Sequence, residues 1–348
     1  MGENSAFARV LTFGLVVCLT GMVVAGSGLV VGTAAAGNAT TVGSCTDIEA
    51  PGVYNLDQNI TRSTAGSCLN ITANDVVLDG QGYTLQGPGD SQTGPVGINV
   101  TADRNVTVQN VNVTEWTQNV YIESLDGGTV TNVTAPRAVS ERFTDAQEAG
   151  VRVNGSEDVR LSDVHASDSE LFGVFVTESS NVTVVDSTLT GNDLRNLYVQ
   201  NVSGGTVRGV NASAATVEDS FGMYLNTSSD LTVEDSTVLS NGDTGVLFES
   251  VEDSVVRNVT VRENGDYGME VDQRRGYTRV DDESDNNLLV NNTVVDNGWH
   301  GIFVTDSSNN TVRSNTVSGH SRVGIGVQTA DTASGIGFSA PTTVDNVT

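Results

Sequence analysis

Lysine is missing from the 348 residues, so all 16 basic side chains are arginines, set against 43 acidic ones for a net charge of −27. A balance this acidic excludes a nucleic-acid binder and a protein drawn to anionic membrane surfaces. It suits a chain kept soluble where salt screens the repulsion between exposed charges, and the acidity is read first as halophilic adaptation. A surface this rich in Asp and Glu also makes any single acidic cluster less telling. Proline is scarce, at five residues, and no stretch after the first 36 residues keeps a helical apolar period. Histidine and cysteine number three each, too few and too scattered to suggest an imidazole- or thiolate-built metal centre.

The one apolar run of spanning length is at the start, Val10 to Val31, preceded by Arg9 and followed by Thr33-Ala34-Ala35-Ala36. That order reads as a secretion signal, residues 1–36, cut before Gly37. The competing reading is an uncleaved membrane anchor. With Cys18 in the signal, the exported chain keeps an even pair, Cys45 and Cys68. Outside the cell a disulfide is expected between them, contributing about 3 kcal/mol by closing a loop.

From residue 97 the chain repeats. Copies begin Gly97-Ile-Asn-Val, Asn119-Val-Tyr-Ile, Gly150-Val-Arg-Val, Gly173-Val-Phe-Val and Asn196-Leu-Tyr-Val. They continue with Gly222-Met-Tyr-Leu, Gly245-Val-Leu-Phe, Gly268-Met-Glu-Val, Gly301-Ile-Phe-Val and Gly324-Ile-Gly-Val. The commonest step is 23 residues; longer steps into Gly150, Gly222 and Gly301 read as insertions at turns. A period of this size means a solenoid. With the first residue of each copy as position zero, positions one and three are apolar throughout, which is a strand with one buried face. A second strand follows about nine residues on (Val106/Val108, Val182/Val184, Leu231/Val233), and a third is marked at position sixteen by Val113, Leu189, Val238 and Val317. Three short strands per copy predict an all-β parallel β-helix solenoid of about ten three-strand coils. Residues 37–96 are then an N-terminal cap with the first coils, and 97–348 the repeating coils. The last residues, 341–348, stop partway through a coil, which leaves an open edge for a missing cap or a protein partner.

Asn192, Asn241, Asn264 and Asn297 recur at one turn and predict a stacked asparagine ladder, each Asn taking the left-handed conformation; His320 holds the same place in its coil. Sixteen Asn-X-Ser/Thr sequons occur, among them Asn59, Asn70, Asn105, Asn112, Asn181 and Asn258. Read functionally they make a glycoprotein. The plainer reading is that Asn-Val-Thr-Val is the repeat's turn-into-strand sequence.

The run from Asn70 to Gly87, Asn-Ile-Thr-Ala-Asn-Asp-Val-Val-Leu-Asp-Gly-Gln-Gly-Tyr-Thr-Leu-Gln-Gly, resembles the opening coil of NosD-like and pectin-lyase-like β-helix proteins. Residues 286–304 and 308–317 resemble the NosD-type repeat. The resemblance implies a secreted right-handed parallel β-helix but is weak for function, since such proteins include polysaccharide lyases, hydrolases, epimerases and non-catalytic surface proteins. NosD itself serves copper delivery. Here Met223 and Met269 fall at core positions and His165, His300 and His320 are dispersed, so a copper role is disfavoured.

In enzymes of this fold, substrate lies along one parallel sheet. The outward positions of the first strand are therefore the place to look. Position two reads Tyr121, Arg152, Phe175, Tyr198, Tyr224, Leu247, Glu270, Phe303 in successive coils. With coils about 4.8 Å apart, Phe175, Tyr198 and Tyr224 are expected to form an exposed aromatic strip, with Tyr121 and Phe303 as outliers. Such a strip can stack on sugar rings. It can equally stabilise the sheet by stacking on itself. Beyond it, Glu249 and Asp272 are neighbours across coils, and Glu270 and Asp272 are two apart on one strand. These separations of roughly 5 and 7 Å bracket the carboxylate pairs of glycosidases. His300 precedes the next first strand and can reach the same region. An insertion follows, in which Arg274, Arg275, Arg279 and Tyr277 would clamp an acidic sugar. Asp281, Asp282 and Asp285 are a possible Ca²⁺ loop without the EF-hand pattern; a solvated acidic loop is the plainer reading. The landmarks of alginate epimerases (Asp-Pro-His) and polygalacturonases (Gly-His-Gly) are missing. The expected function is a secreted or cell-surface protein binding polysaccharide along the first sheet. The alternatives are a lyase, hydrolase or epimerase acting on acidic sugars, and a non-catalytic glycosylated rod.

Overall fold

A computed structural model describes residues 39–62, 66–89, 96–139, 148–272, 283–328 and 342–345. The segment read as a signal lies outside these, as do Arg274, Arg275, Tyr277, Arg279, Asp281 and Asp282. Every described element is a β-strand, and no helix among the described residues is long and apolar enough to cross a membrane.

All the strand pairs are parallel, and each strand pairs with the equivalent strand one coil before and after. The chain therefore winds as a three-sided solenoid. The first sheet has twelve rungs, from Thr46–Ile48 and Leu69–Ile71 through Val96–Val100 to Ile325–Gln328. The sequence reading began the repeat at residue 97. The structure shows two earlier rungs in the same register, with Thr46 opposite Leu69 and Leu69 opposite Ile98. Cys45 and Cys68 are joined, and their sequence separation of 23 is the length of one coil. The disulfide thus ties the same position of the first two rungs together, where the first rung has a partner on one side only among the described residues.

The core is the stack of positions one and three. Leu69, Ile98, Val120, Val151, Val174, Leu197, Met223, Val246, Met269 and Ile302 succeed one another up the axis, each nearly or wholly buried. Each coil contributes few apolar side chains, but every one lands on its counterparts above and below. Burial of such aliphatic groups is worth roughly 1.5–3 kcal/mol each.

Between the strands the chain must turn sharply. It does so with one residue in the left-handed region, followed by one whose side chain turns inward. Of the 31 non-glycine residues with positive φ among the described residues, 11 are Asp and 9 are Asn, the side chains that tolerate this conformation best. Part of the acidity read as halophilic adaptation is therefore built into the corners. The sequons share this cause: Asn105, Asn132, Asn181, Asn201, Asn258, Asn291 and Asn309 all have positive φ. The ladder asparagines do not. The left-handed residue is the one before each of them, Gly191, Ser240, Glu263 and Asp296, which corrects the sequence expectation. The Asn itself points into the core, where its amide can bond the rung above and the backbone below.

Candidate functional site

The register of the first sheet carries the position-two residues into one row. Tyr121 lies opposite Arg152, Arg152 opposite Phe175, Phe175 opposite Tyr198, Tyr198 opposite Tyr224, Tyr224 opposite Leu247, Leu247 opposite Glu270 and Glu270 opposite Phe303. The rings stack: Phe175 on Tyr198 at 4.6 Å and 6°, Tyr198 on Tyr224 at 5.0 Å and 3°. The strip exists, but it is not exposed. Phe175, Tyr198 and Tyr224 keep only 5, 9 and 8% of their surface. Phe172 and Phe221, each just before position zero, fold over them together with Leu171 and Leu194. The Arg195 guanidinium lies 4.5 Å from the ring centres of both Tyr198 and Tyr224, and Arg152 lies over Tyr121 and Phe175. The result is a second, outer core. The signal for it was in the sequence, in the apolar or arginine side chain preceding positions zero at Gly173, Asn196 and Gly222. Tyr121 and Phe303, at the ends of the row, are half-buried.

Beyond the stack, the structure brings the predicted carboxylates together. Glu249 is opposite Asp272, and Glu270 sits between Leu247 and Phe303 on the neighbouring rungs. Glu249 accepts from the Tyr224 hydroxyl and, at 2.9 Å, from Asn226 Nδ2. Glu270 is 3% exposed, whereas Asp272 is half-buried. His300 is stacked between Tyr267 and Phe303, at 5.4 and 4.8 Å, and Nδ1 makes no hydrogen bond among the described residues. Burial, and then the nearby Arg322 charge, lower the His300 pKa and favour the neutral ring. Arg274 and Arg275 fall outside the described residues. His165 is an exposed residue of a third-sheet strand, His320 closes the asparagine ladder, and Met223 and Met269 lie in the core.

The region missed in the sequence is the corner between the first and second sheets. Position six turns inward there (Ser156, Ser179, Val202, Ser228, Val251), leaving two banks. One is position five, Gly155, Glu178, Asn201, Thr227 and Ser250. The other is position seven, where Glu157, Ser180, Ser203, Ser229 and Glu252 are paired rung to rung. Two adjoining hollows of about 610 and 300 Å³ lie along this corner and share Asn201 and Ser203. Together they make a shallow polar channel, open to solvent along its length, across five coils, roughly 19 Å long at the spacing of parallel strands. Its signal in the sequence was the recurring Ser two and three residues past position four. That pattern is also what any tight turn uses, so it did not stand out.

At the far end of the channel the same rows continue as Glu283, Asp285 and Asp306. Ser308 donates from its hydroxyl to Glu283 and from its backbone N–H to Asp285. Burial raises the pKa of both carboxyls, and Asp285 and Asp306 raise that of Glu283 further. A carboxyl whose pKa is higher folded than unfolded costs stability while ionised, and the cost fades as the pH falls through the folded pKa. Glu283→Gln, which keeps an acceptor for Ser308, is therefore expected to raise the melting temperature at pH 7. The gain should vanish below the ordinary value of 4.5, as paired thermal melts at the two pH values would show. Of the suggested Ca²⁺ ligands only Asp285 is described, and no group of three or more metal-ligating side chains occurs among the described residues.

The family profile described as the right handed beta helix region matches residues 96–250 and 216–339. The chain belongs to that family, and the fold is a right-handed parallel β-helix. No curated protein matches the chain in sequence. Among solved structures it is similar to a mutant of the periplasmic alginate epimerase AlgG, with TM-score 0.64 and 9% identity over 86% of this chain and 76% of that one. It is also similar to PfbA, a surface adhesin of Streptococcus pneumoniae, with TM-score 0.59 and 12% identity over 81 and 82% of the two chains. The Dettilon tailspike protein gives TM-score 0.59 and 11% identity over 82% of this chain and 60% of that one. At these identities the likeness is one of fold.

Proposed function

We propose that this is a secreted or surface-exposed β-helix protein that binds polysaccharide, the chain lying along the channel at the first corner, parallel to the solenoid axis. The channel carries the reading. It presents hydroxyl, amide and carboxylate groups at a fixed step over five coils, and a polymer with a repeat near that step can make the same contact on each. The similar structures include an alginate epimerase, a tailspike and a surface adhesin, which fits this reading. The buried aromatic stack supports it indirectly, by tying the Phe175, Tyr198 and Tyr224 rungs together beside the channel.

Ser203 lines both hollows and is exposed. Ser203→Phe should block the middle of the channel and weaken binding at least tenfold, about 1.4 kcal/mol, while leaving the melting temperature within the small range of surface substitutions. A polysaccharide array in high salt, followed by titration of the hits, measures this. A folded protein that captures no polysaccharide would leave the non-catalytic rod.

One observation favours a second reading. Glu249, Asp272 and Glu270 gather on adjacent rungs beside the end of the channel. A ligand emerging there meets paired carboxylates, so release of shortened or epimerised product by the wild type, lost in Asp272→Asn, would promote a lyase, hydrolase or epimerase.

A further inference from the structure

We infer that the channel selects a polysaccharide without acid groups, a neutral hydroxyl-rich chain, against the uronate polymers. This rests on the reading that the channel binds a glycan. Every ionisable side chain among the described residues lining it is a carboxylate: Glu157 and Glu178 in one half, Glu252 in the other. No arginine lines either hollow among the described residues. The Arg152 charge reaches one channel carboxylate, Glu178; the contacts that the neighbouring arginines make are otherwise on other faces. Arg152 and Arg195 lie over the aromatic stack, and Arg208 and Arg257 pair with Glu234 on the second sheet.

A polyuronate laid along the axis carries one carboxylate per ring, so Glu157 and Glu252 meet like charge at close range, and Glu178 does so with the Arg152 charge nearby. The row continues into Glu283 and Asp285; burial raises both pKa values, and neighbouring carboxylates raise that of Glu283 further. A neutral sugar meets the same groups as partners. Ionised carboxylates accept strong hydrogen bonds from hydroxyls, Asn201 can both donate and accept, and Ser180, Ser203 and Ser229 offer a hydroxyl on three consecutive rungs. The centre of the channel is thus uncharged on its serine bank, and the carboxylates that flank it act as acceptors.

The test titrates the full protein with dextran, mannan, a β-1,3-glucan and chitin oligomers as neutral probes. Alginate and polygalacturonate, each with and without Ca²⁺, are the acidic probes, and chitosan is the cationic one. The expected result is a neutral probe bound at least tenfold more tightly than either uronate polymer. Glu178→Gln and Glu252→Gln should weaken that binding severalfold and, by removing like charge, narrow the gap to the uronates. Tighter binding of alginate or polygalacturonate overturns the inference, also if it requires Ca²⁺ as a bridge. So does a preference for chitosan over chitin oligomers that the two Gln variants abolish, because the carboxylates would then be counter-charges. Each of these results leaves the channel a glycan site. Only capture of none of the probes, by protein shown to be folded, removes the reading beneath it.

Discussion

Replacing Gly245 by alanine should cost roughly 3–5 kcal/mol of unfolding free energy, far more than the usual penalty for an added methyl. A Cβ at Gly245 would lie 2.5 Å from Val261 Cγ1, 2.7 Å from Asn264 Nδ2 and 2.7 Å from the Gly268 carbonyl oxygen. None of the three can yield cheaply. The carbonyl belongs to the next rung of the first sheet, and Val261 is core. Asn264 accepts from the backbone N–H and the amide of Asn241, and donates to Asn297. Moving it leaves buried amide groups without partners, at about 1–3 kcal/mol each. The same trio of valine, ladder side chain and next-rung carbonyl confronts Gly222, Gly268 and Gly301. Gly324 supplies the control: among the described residues its Cβ would meet only Val317, at 3.6 and 4.0 Å. Denaturant unfolding of Gly245→Ala and Gly324→Ala should therefore separate by several kcal/mol, and two equal values would refute the steric account.

How much of this could be read from the sequence differs by level, for physical reasons. The rungs were legible to the residue, from Tyr121 opposite Arg152 to Glu270 opposite Phe303, because a period-two strand repeated every 23 residues leaves no freedom in register. The first two rungs were read only as coils somewhere within residues 37–96, without their register, since Thr46–Ile48 and Leu69–Ile71 are three-residue strands without a leading glycine. The outward face was read in position and misread in exposure. Phe172, Arg195 and Phe221 lie outside the strand pattern, and what a side chain at a turn covers depends on where the turn points. The carboxylates Glu249, Glu270 and Asp272 do gather as their positions required. The channel escaped because a concavity is made by the residue that turns inward, and in a repeat of Ser, Asn and Asp nothing in composition marks which of three corners is hollow.

The repeat also breaks its own rule twice, in a way that predicts a coupled pair of substitutions. Ten copies begin with Gly or Asn, and the two Asn copies, at Asn119 and Asn196, are those whose ladder position nineteen residues on holds alanine, Ala138 and Ala215. The structure explains the exchange. Asn196 accepts from Asn192 Nδ2 at 2.9 Å and donates to the Ser213 carbonyl and to Asn241 Oδ1, both at 2.9 Å. Its amide thus fills the rung that Ala215 leaves empty. Asn119 donates to the Pro136 carbonyl, again 17 residues ahead, and accepts from the Trp116 N–H. Where the ladder side chain is large, position zero must be glycine to make room, and where it is alanine, position zero provides the amide instead. Asn196→Gly alone strands buried groups of Asn192 and Asn241 and should cost about 2–4 kcal/mol. Ala215→Asn alone drives a second amide into the space that Asn196 occupies, and overpacking should cost about 1–3 kcal/mol. Together the two substitutions recreate the arrangement of Gly222 with Asn241, so the double variant should unfold close to wild type. A double-mutant cycle should then return a coupling of at least about 2 kcal/mol. Additive losses would mean that the corner is held by its backbone alone, and that the asparagine ladder merely decorates it.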